Sequence, residues 1–399
     1  MTESVVSMTL PPAKAKGTKP PKFYMPQLDV MRFFAFLSVF LLHCLPAVDV
    51  SSHVGGARIV ALFAKTIESS GRNGVGLFFL LSSYLITELL TRERKATGAI
   101  HLKMFYMRRI LRIWPLYYFV VLIGLLIQPL NKEYHLTLPV ILSFLFFVNN
   151  WHVVLYKFLW TPIMPLWTVS AEEQFYLVWP FAMRKFSRRT MLWLCSFAIV
   201  LLPLITYRTS STPWKTETTE LVATLLFFPL GGILSMLLKP KTSPSPLWKF
   251  WALFFLGLGC WIIGGICAQP NGDLLASPPQ TILGKAIVAV GTVVIFMSFL
   301  RSNPAIWPQP LVYLGKISFG LYVYHHLVYD LVKALTESIG LGVHTGPHHS
   351  LYNVLIFGLV VLPATLLGTI GVSALSYRYL ETPFLQLKDR FAVVHSRDI

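Results

Sequence analysis

The chain has 399 residues, 55% hydrophobic and 13% charged, with a formal net charge of +17, and its mean hydropathy is +0.62. That composition excludes an ordinary soluble globular protein. The positive charge is not that of a nucleic-acid binder, because Lys and Arg cluster in short loops between apolar runs, the topology signal of a multispanning membrane protein.

Residues 1–27 are rich in Pro and Lys, carry no signal peptide, and are expected to form a disordered cytoplasmic tail. Apolar runs then predict helical segments at 28–48, 72–91, 110–130, 136–152, 165–183, 191–207, 219–238, 249–268, 282–300, 311–335 and 351–377. The four cysteines, Cys44, Cys195, Cys260 and Cys267, all fall in these runs and imply no disulfide framework.

Basic residues gather before the first run (Lys14, Lys16, Lys19, Lys22), across 92–109, across 184–189, at Lys239, Lys241 and Lys249, at Arg301, and from Arg378 through Lys388 and Arg390. The positive-inside rule assigns all of these to the cytoplasm. Three candidate segments lie between 92–109 and 184–189, so one of them should not cross. The choice falls on 136–152, which is short and ends in the polar "VNNWH"; it is expected to be re-entrant or interfacial. The predicted fold is an all-α transmembrane bundle of ten spans with both termini cytoplasmic. Loop 49–71 must then face outward, although it carries Arg58 and Lys65 and leads into Arg72. The membrane domain is expected over 28–386, followed by a cytoplasmic tail over 387–399. There is no internal repeat. No appended soluble domain is read, so a second catalytic step would need another protein.

Ionisable groups inside these runs are the candidate functional residues. In "DVMRFFAFLSVFLLHC", Arg32 and His43 are eleven residues apart. Eleven helical residues turn about 1100°, so both share one face, about 16 Å apart. Lipid exposure of that stripe is costly, so it should face the interior. In "RRILRIWPLYY", Arg109 and Arg112 share a face at the cytoplasmic mouth. Glu172 and Glu173 in "PLWTVSAEEQFYLVWP" point about 100° apart, so only one can face a given pocket. "ISFGLYVYHH" carries His325 into the outer half, and "SYRYLETP" carries Arg378 to the inner face. Two clusters are therefore expected: Arg32, Arg109, Arg112 and Arg378 at the inner side, and His43, His325 and a glutamate further out.

Guanidinium groups pair bidentately with phosphate, so the inner cluster suits a phosphate-rich cytosolic donor such as a nucleotide or acyl-CoA. A histidine can act as general base near neutrality, with a carboxylate fixing its tautomer. Plainer readings stand beside these. Arg109 and Arg112 also fit topology anchors that snorkel to lipid phosphate. Arg378 and Glu381 fit a local pair, His325 and His326 fit partners of backbone carbonyls, and Ser82 and Ser83 fit small residues for close helix packing. There is no metal motif, phosphate-binding glycine loop or nucleophile elbow. The residues alone fit an enzyme with an anionic donor or an anion or proton-coupled transporter.

Six stretches resemble the acyltransferase 3 family of integral membrane acyltransferases, over roughly 24–386: "LDVMRFFAFLSVFLLH", "NGVGLFFLLSSYLIT", "RRILRIWPLYY", "PLWTVSAEEQFYLVWP", "ISFGLYVYHHLV" and "SYRYLETPF". Two positions depart from the family pattern: Gly76 stands where Asp is usual and Ser83 where Gly is usual. The resemblance implies a multi-pass protein of the bacterial plasma membrane. It implies transfer of an acyl group, often acetyl, from cytosolic acyl-CoA as co-substrate to a hydroxyl of a carbohydrate or glycosylated acceptor. It makes His43 the catalytic histidine with Arg32 its motif partner, Arg109 and Arg112 the donor-handling pair, and Glu172 rather than Glu173 the acidic residue. His325 and Ser82 are secondary, and no bound cofactor or metal is implied. Direct transfer and an acyl-histidine relay both remain open. The rival classes are a transporter or exporter of an anionic or acylated solute, and an acyl-CoA-binding membrane sensor or scaffold.

Overall fold

The computed structural model describes residues 23–45, 66–67, 70–128, 136–156, 161–210, 215–238, 244–268, 276–339 and 357–391. Most of both predicted tails and most of loop 49–71, with Arg58 and Lys65, lie outside these residues, as do Lys239 and Lys241. The described chain is an all-α bundle with no strand. In chain order its α-helices are α1 Pro26–Cys44, α2 Asn73–Thr97, α3 Leu102–Ile127, α4 Leu138–Leu145, α5 Asn149–Tyr156, α6 Leu166–Lys185, α7 Arg188–Ser210, α8 Lys215–Leu225, α9 Phe227–Leu237, α10 Leu247–Ala268, α11 Pro278–Leu300, α12 Gln309–Lys316, α13 Ser318–Ser338, α14 Leu362–Ser376 and α15 Thr382–Asp389. Single π-helical turns, Phe357–Val361 and Tyr377–Glu381, flank α14.

Eight stretches of helix among the described residues are long and apolar enough to cross a membrane. Two more, α6 and α13, have 20 and 21 residues, about 30 Å each, but carry the polar residues discussed below. Large apolar side chains such as Leu126, Trp193, Phe197, Leu359 and Leu367 are exposed on the outside of the bundle. Such a surface is that of a protein solvated by lipid. The chain is an integral membrane protein.

The expected segment 136–152 is broken into α4 and α5, eight residues each. Each is about 12 Å long, far short of a bilayer. The break centres on Phe147, whose φ is 54°, a conformation uncommon for a side-chain-bearing residue. Its ring lies 4.3 Å from that of Tyr117, and Gln174 Nε2 donates to its carbonyl at 2.7 Å. The polar "NNW" is satisfied by α6: Gln174 Nε2 donates to Asn150 Oδ1 at 2.8 Å, and Ser170 Oγ donates to Asn149 Oδ1 at 2.9 Å. Asn149 and Asn150 are buried, which is tolerable because both are paired.

The helices run slightly past 28 and 386 at the two ends. Helix α1 starts at Pro26, a residue type suited to a first helical turn. At the other end α15 runs to Asp389 with Lys388 buried, so the first residues of the expected tail are folded. The expected run 311–335 is two helices that meet at Ile317, and Gly315 lies against the Asp29 carbonyl of α1 where no side chain fits.

Candidate active site

A cavity of ≈ 180 Å³ lies among α1, α2, α3, α6, α13 and α15. That is room for more than ten waters, or for a thin flexible chain. Five cationic residues line it, Arg32, Arg108, Arg109, Arg112 and Lys388, with three carboxylates, Asp29, Glu93 and Glu172. Asp29 pairs with Arg32 one turn along α1, and Glu93 Oε2 accepts from Arg108 Nη2 at 2.9 Å. The cavity therefore has an excess of positive charge on the side formed by the start of α1, the end of α2 and the start of α3.

The deeper wall carries hydroxyl groups around one carboxylate. Ser82 lies eleven residues before Glu93 on α2, about 16 Å further in. Its Oγ donates to Glu172, Tyr176 OH donates to the same carboxylate oxygen, and Tyr176 OH is 3.1 Å from Ser82 Oγ. Glu172 and Tyr176 are one turn apart on α6, so they project together. The Arg109 guanidinium stacks 5.1 Å from the Tyr176 ring and 5.5 Å from the Phe105 ring, a cation–π geometry. Arg109, Tyr176, Glu172 and Ser82 thus form one continuous wall. Glu173 points away: its Oε2 accepts from Trp114 Nε1 at 3.1 Å, and it does not line the cavity.

His43 and His325 meet, as their depths suggest. His43 Nδ1 is 2.9 Å from His325 Nε2, with ring centroids 5.1 Å apart and 17° from parallel. His325 is fully buried, and its Nδ1 is 2.6 Å from the Tyr322 carbonyl. A carbonyl only accepts, so His325 Nδ1 carries the hydrogen. With both rings neutral, His325 Nε2 must then accept from His43 Nδ1–H. That leaves Nε2 of His43 with the lone pair. His326 sits beside them, its ring 5.8 Å from that of His43 and its Nδ1 3.5 Å from Asp330.

The expected outer trio does not form. Glu172 faces α2 and the cavity, whereas neither His43 nor His325 lines that space. Depth along a helix does not decide which neighbour a side chain faces. Tyr322 separates the two sites: its ring lines the cavity, its OH is 2.6 Å from Thr168 Oγ1, and its carbonyl holds His325. Arg378 does not join the inner cluster either. It is exposed, its guanidinium 5.4 Å over the Tyr379 ring. It sits in a π-helical turn, which rotates residues away from the faces that α-helical counting assigns. Sequence reasoning missed Arg108, Tyr176, Tyr322 and Lys388. The spacing of Glu172 and Tyr176 was a readable signal; nothing local marks Tyr322 or Lys388.

A family model described as an acyltransferase domain matches residues 25–377. The chain belongs to the acyltransferase 3 family. A Staphylococcus aureus protein provisionally named as an O-acetyltransferase is 27% identical over 409 aligned positions, covering 93% of this chain and 59% of that protein. The S. aureus O-acetyltransferase OatA is 25% identical over 386 positions, covering 90% of this chain and 57% of its own length. The chain thus spans about 57–59% of the length of these curated relatives. No solved structure matches.

Both departures from the acyltransferase 3 pattern fall on one helix contact. A side chain at Gly76 would collide with the Phe227 ring of α9. Ser83, fully buried, donates from Oγ to the Phe228 carbonyl of α9 at 2.6 Å. Neither residue lines the cavity.

Proposed function

We propose that this protein is a membrane O-acyltransferase that moves an acetyl group from cytosolic acetyl-CoA to a hydroxyl of a carbohydrate or glycosylated acceptor. The observation that carries the reading is one cavity lined by five cations and by the Ser82–Glu172–Tyr176 group, with Tyr322 both lining that cavity and holding His325 of an oriented histidine pair. Family membership and the names of the relatives support the reaction class.

In this reading Arg109 and Arg112 hold the donor phosphates, assisted by Arg32, and the pantetheine arm runs along the apolar wall. Its reach is about 15–20 Å on chain dimensions. The thioester is then within the field of Ser82, Glu172 and Tyr176. Nε2 of His43 removes the acceptor hydroxyl proton, the alkoxide oxygen attacks the thioester carbonyl, and the C–S bond breaks. The CoA thiolate leaves, and the proton held by His43 is given up as the thiol forms, so His43 is neutral again. His325 holds His43 in the tautomer that has its lone pair at Nε2 and supports the positive charge as it forms. The Tyr322 ring must leave the path for thioester and His43 to meet. The membrane is placed with the cationic side facing the cytoplasm, following the positive-inside rule.

The test is thiol release from acetyl-CoA by the purified protein with mixed glycan acceptors, wild type beside His43→Ala. Acceptor-dependent release that needs His43 supports the enzyme. Acetyl-CoA binding without release in any acceptor mixture would favour a sensor, and no binding at all would favour a transporter.

A further inference from the structure

The family match ends at residue 377, yet the fold of the cavity does not. The chain continues through the π-helical turn into α15, and this helix packs against α3. Leu385 and Lys388 are three residues apart on one face of α15, and both are buried. Lys388 lines the cavity beside the arginines.

Its helix is fixed in that position. Arg108 Nη1 donates to the Phe391 carbonyl, just past α15, at 2.7 Å, while Arg108 Nη2 donates to Glu93 at 2.9 Å. Glu93 also accepts from the backbone N–H of His101 at 2.9 Å. One buried carboxylate and one guanidinium therefore tie the end of α2, the start of α3 and the end of α15 together. The lysine they hold in place is a mobile, strongly hydrated point charge, the type of group that meets a phosphate rather than a planar carboxylate.

We propose that Lys388 is a donor-binding residue, and that α15, which lies past the end of the family-model match, completes the phosphate-binding side of the cavity. This rests on the acetyl-CoA reading above. In it, Arg109 and Arg112 approach the phosphates from α3, and Lys388 approaches from α15. The two sides enclose the pyrophosphate or the ribose phosphate of the donor, whereas the acetyl-pantetheine end does not touch Lys388.

The experiment uses the full chain in detergent. Acetyl-CoA binding is measured by calorimetry for wild type, Lys388→Gln and Lys388→Arg, and turnover is measured with acetyl-CoA and with S-acetylpantetheine, which has no phosphate. Lys388→Gln is expected to weaken acetyl-CoA binding roughly 10–100-fold, the loss of one charge-assisted contact. Lys388→Arg is expected to recover most of that loss, and Lys388→Gln is expected to lose preference for acetyl-CoA over S-acetylpantetheine in turnover. A folded Lys388→Gln protein that binds acetyl-CoA like wild type overturns the proposal. A second measurement needs no variant: acetyl-CoA, but not S-acetylpantetheine, should protect Lys388 from an amine-reactive label read by mass spectrometry. Equal labelling with and without acetyl-CoA at saturation overturns it too. If wild type binds no acetyl-CoA, the donor reading itself has failed, and this proposal goes with it.

Discussion

Nδ1 of His43 and Nε2 of His325 lie 2.9 Å apart, although 282 residues separate them in the chain. The contact is directional because the other nitrogen of His325 is committed to the Tyr322 carbonyl. In the proposed mechanism His325 orients His43 as a carboxylate orients the histidine of a hydrolase triad.

His43→Ala is expected to lower acyl transfer by roughly 10²–10⁴-fold, the contribution typical of a positioned general base. His325→Ala should cost less, because His43 keeps its imidazole and loses only its orientation. The check is kcat for both variants beside their thermal unfolding. Equal activity of His325→Ala and wild type would remove the orienting role.

Glu172 and Glu173 are neighbours with different surroundings. Glu172→Gln leaves one polar group against two hydroxyl donors and should lower kcat sharply. Glu173→Gln should leave kcat near wild type, since its carboxylate meets only Trp114 outside the cavity. Parallel kinetics of the two variants decide this, and the reverse order would place the chemistry on the other face of α6.

Arg109→Ala and Arg112→Ala should each raise KM for acetyl-CoA roughly tenfold or more, as expected for a lost charged hydrogen bond. Arg109→Ala also removes the stack on Tyr176, so its kcat should fall further than that of Arg112→Ala. Arg378→Ala, exposed outside the cavity, should leave both parameters unchanged. Steady-state titration of acetyl-CoA separates the three.

Restoring the residue usual in the family should damage this protein. Gly76→Asp drives a side chain into the Phe227 ring. Overpacking alone is expected to cost about 1–3 kcal/mol, seen as a lower unfolding temperature in detergent. Phe227→Ala empties a buried site and is expected to cost about 3–5 kcal/mol, and the double variant should be more stable than the sum of the two losses predicts. Additive losses would show that the two residues do not share one space.

Much of this molecule was legible in the sequence because a bilayer imposes local rules. Runs of apolar residues fixed the helices, since each backbone amide must be satisfied within its own segment. The short polar run ending in "VNNWH" announced a segment that breaks into α4 and α5. Helical arithmetic separated Glu172 from Glu173, because 100° per residue is a property of the helix alone; it also put Arg32 and His43 on one stripe, yet Arg32 lines the cavity and His43 does not. What arithmetic along one helix cannot contain is the identity of the neighbour. Only the packing of α6 against α2 turned Glu172 toward Ser82 rather than toward His43. Only a π-helical turn carried Arg378 out of the inner cluster, and only the fold-back of α15 brought Lys388 into it. The sequence by itself determined which residues are too polar for lipid and how far along their helices they lie. The tertiary structure decided which of them meet, because facing is set by interhelical packing, which is a relation between segments far apart in the chain.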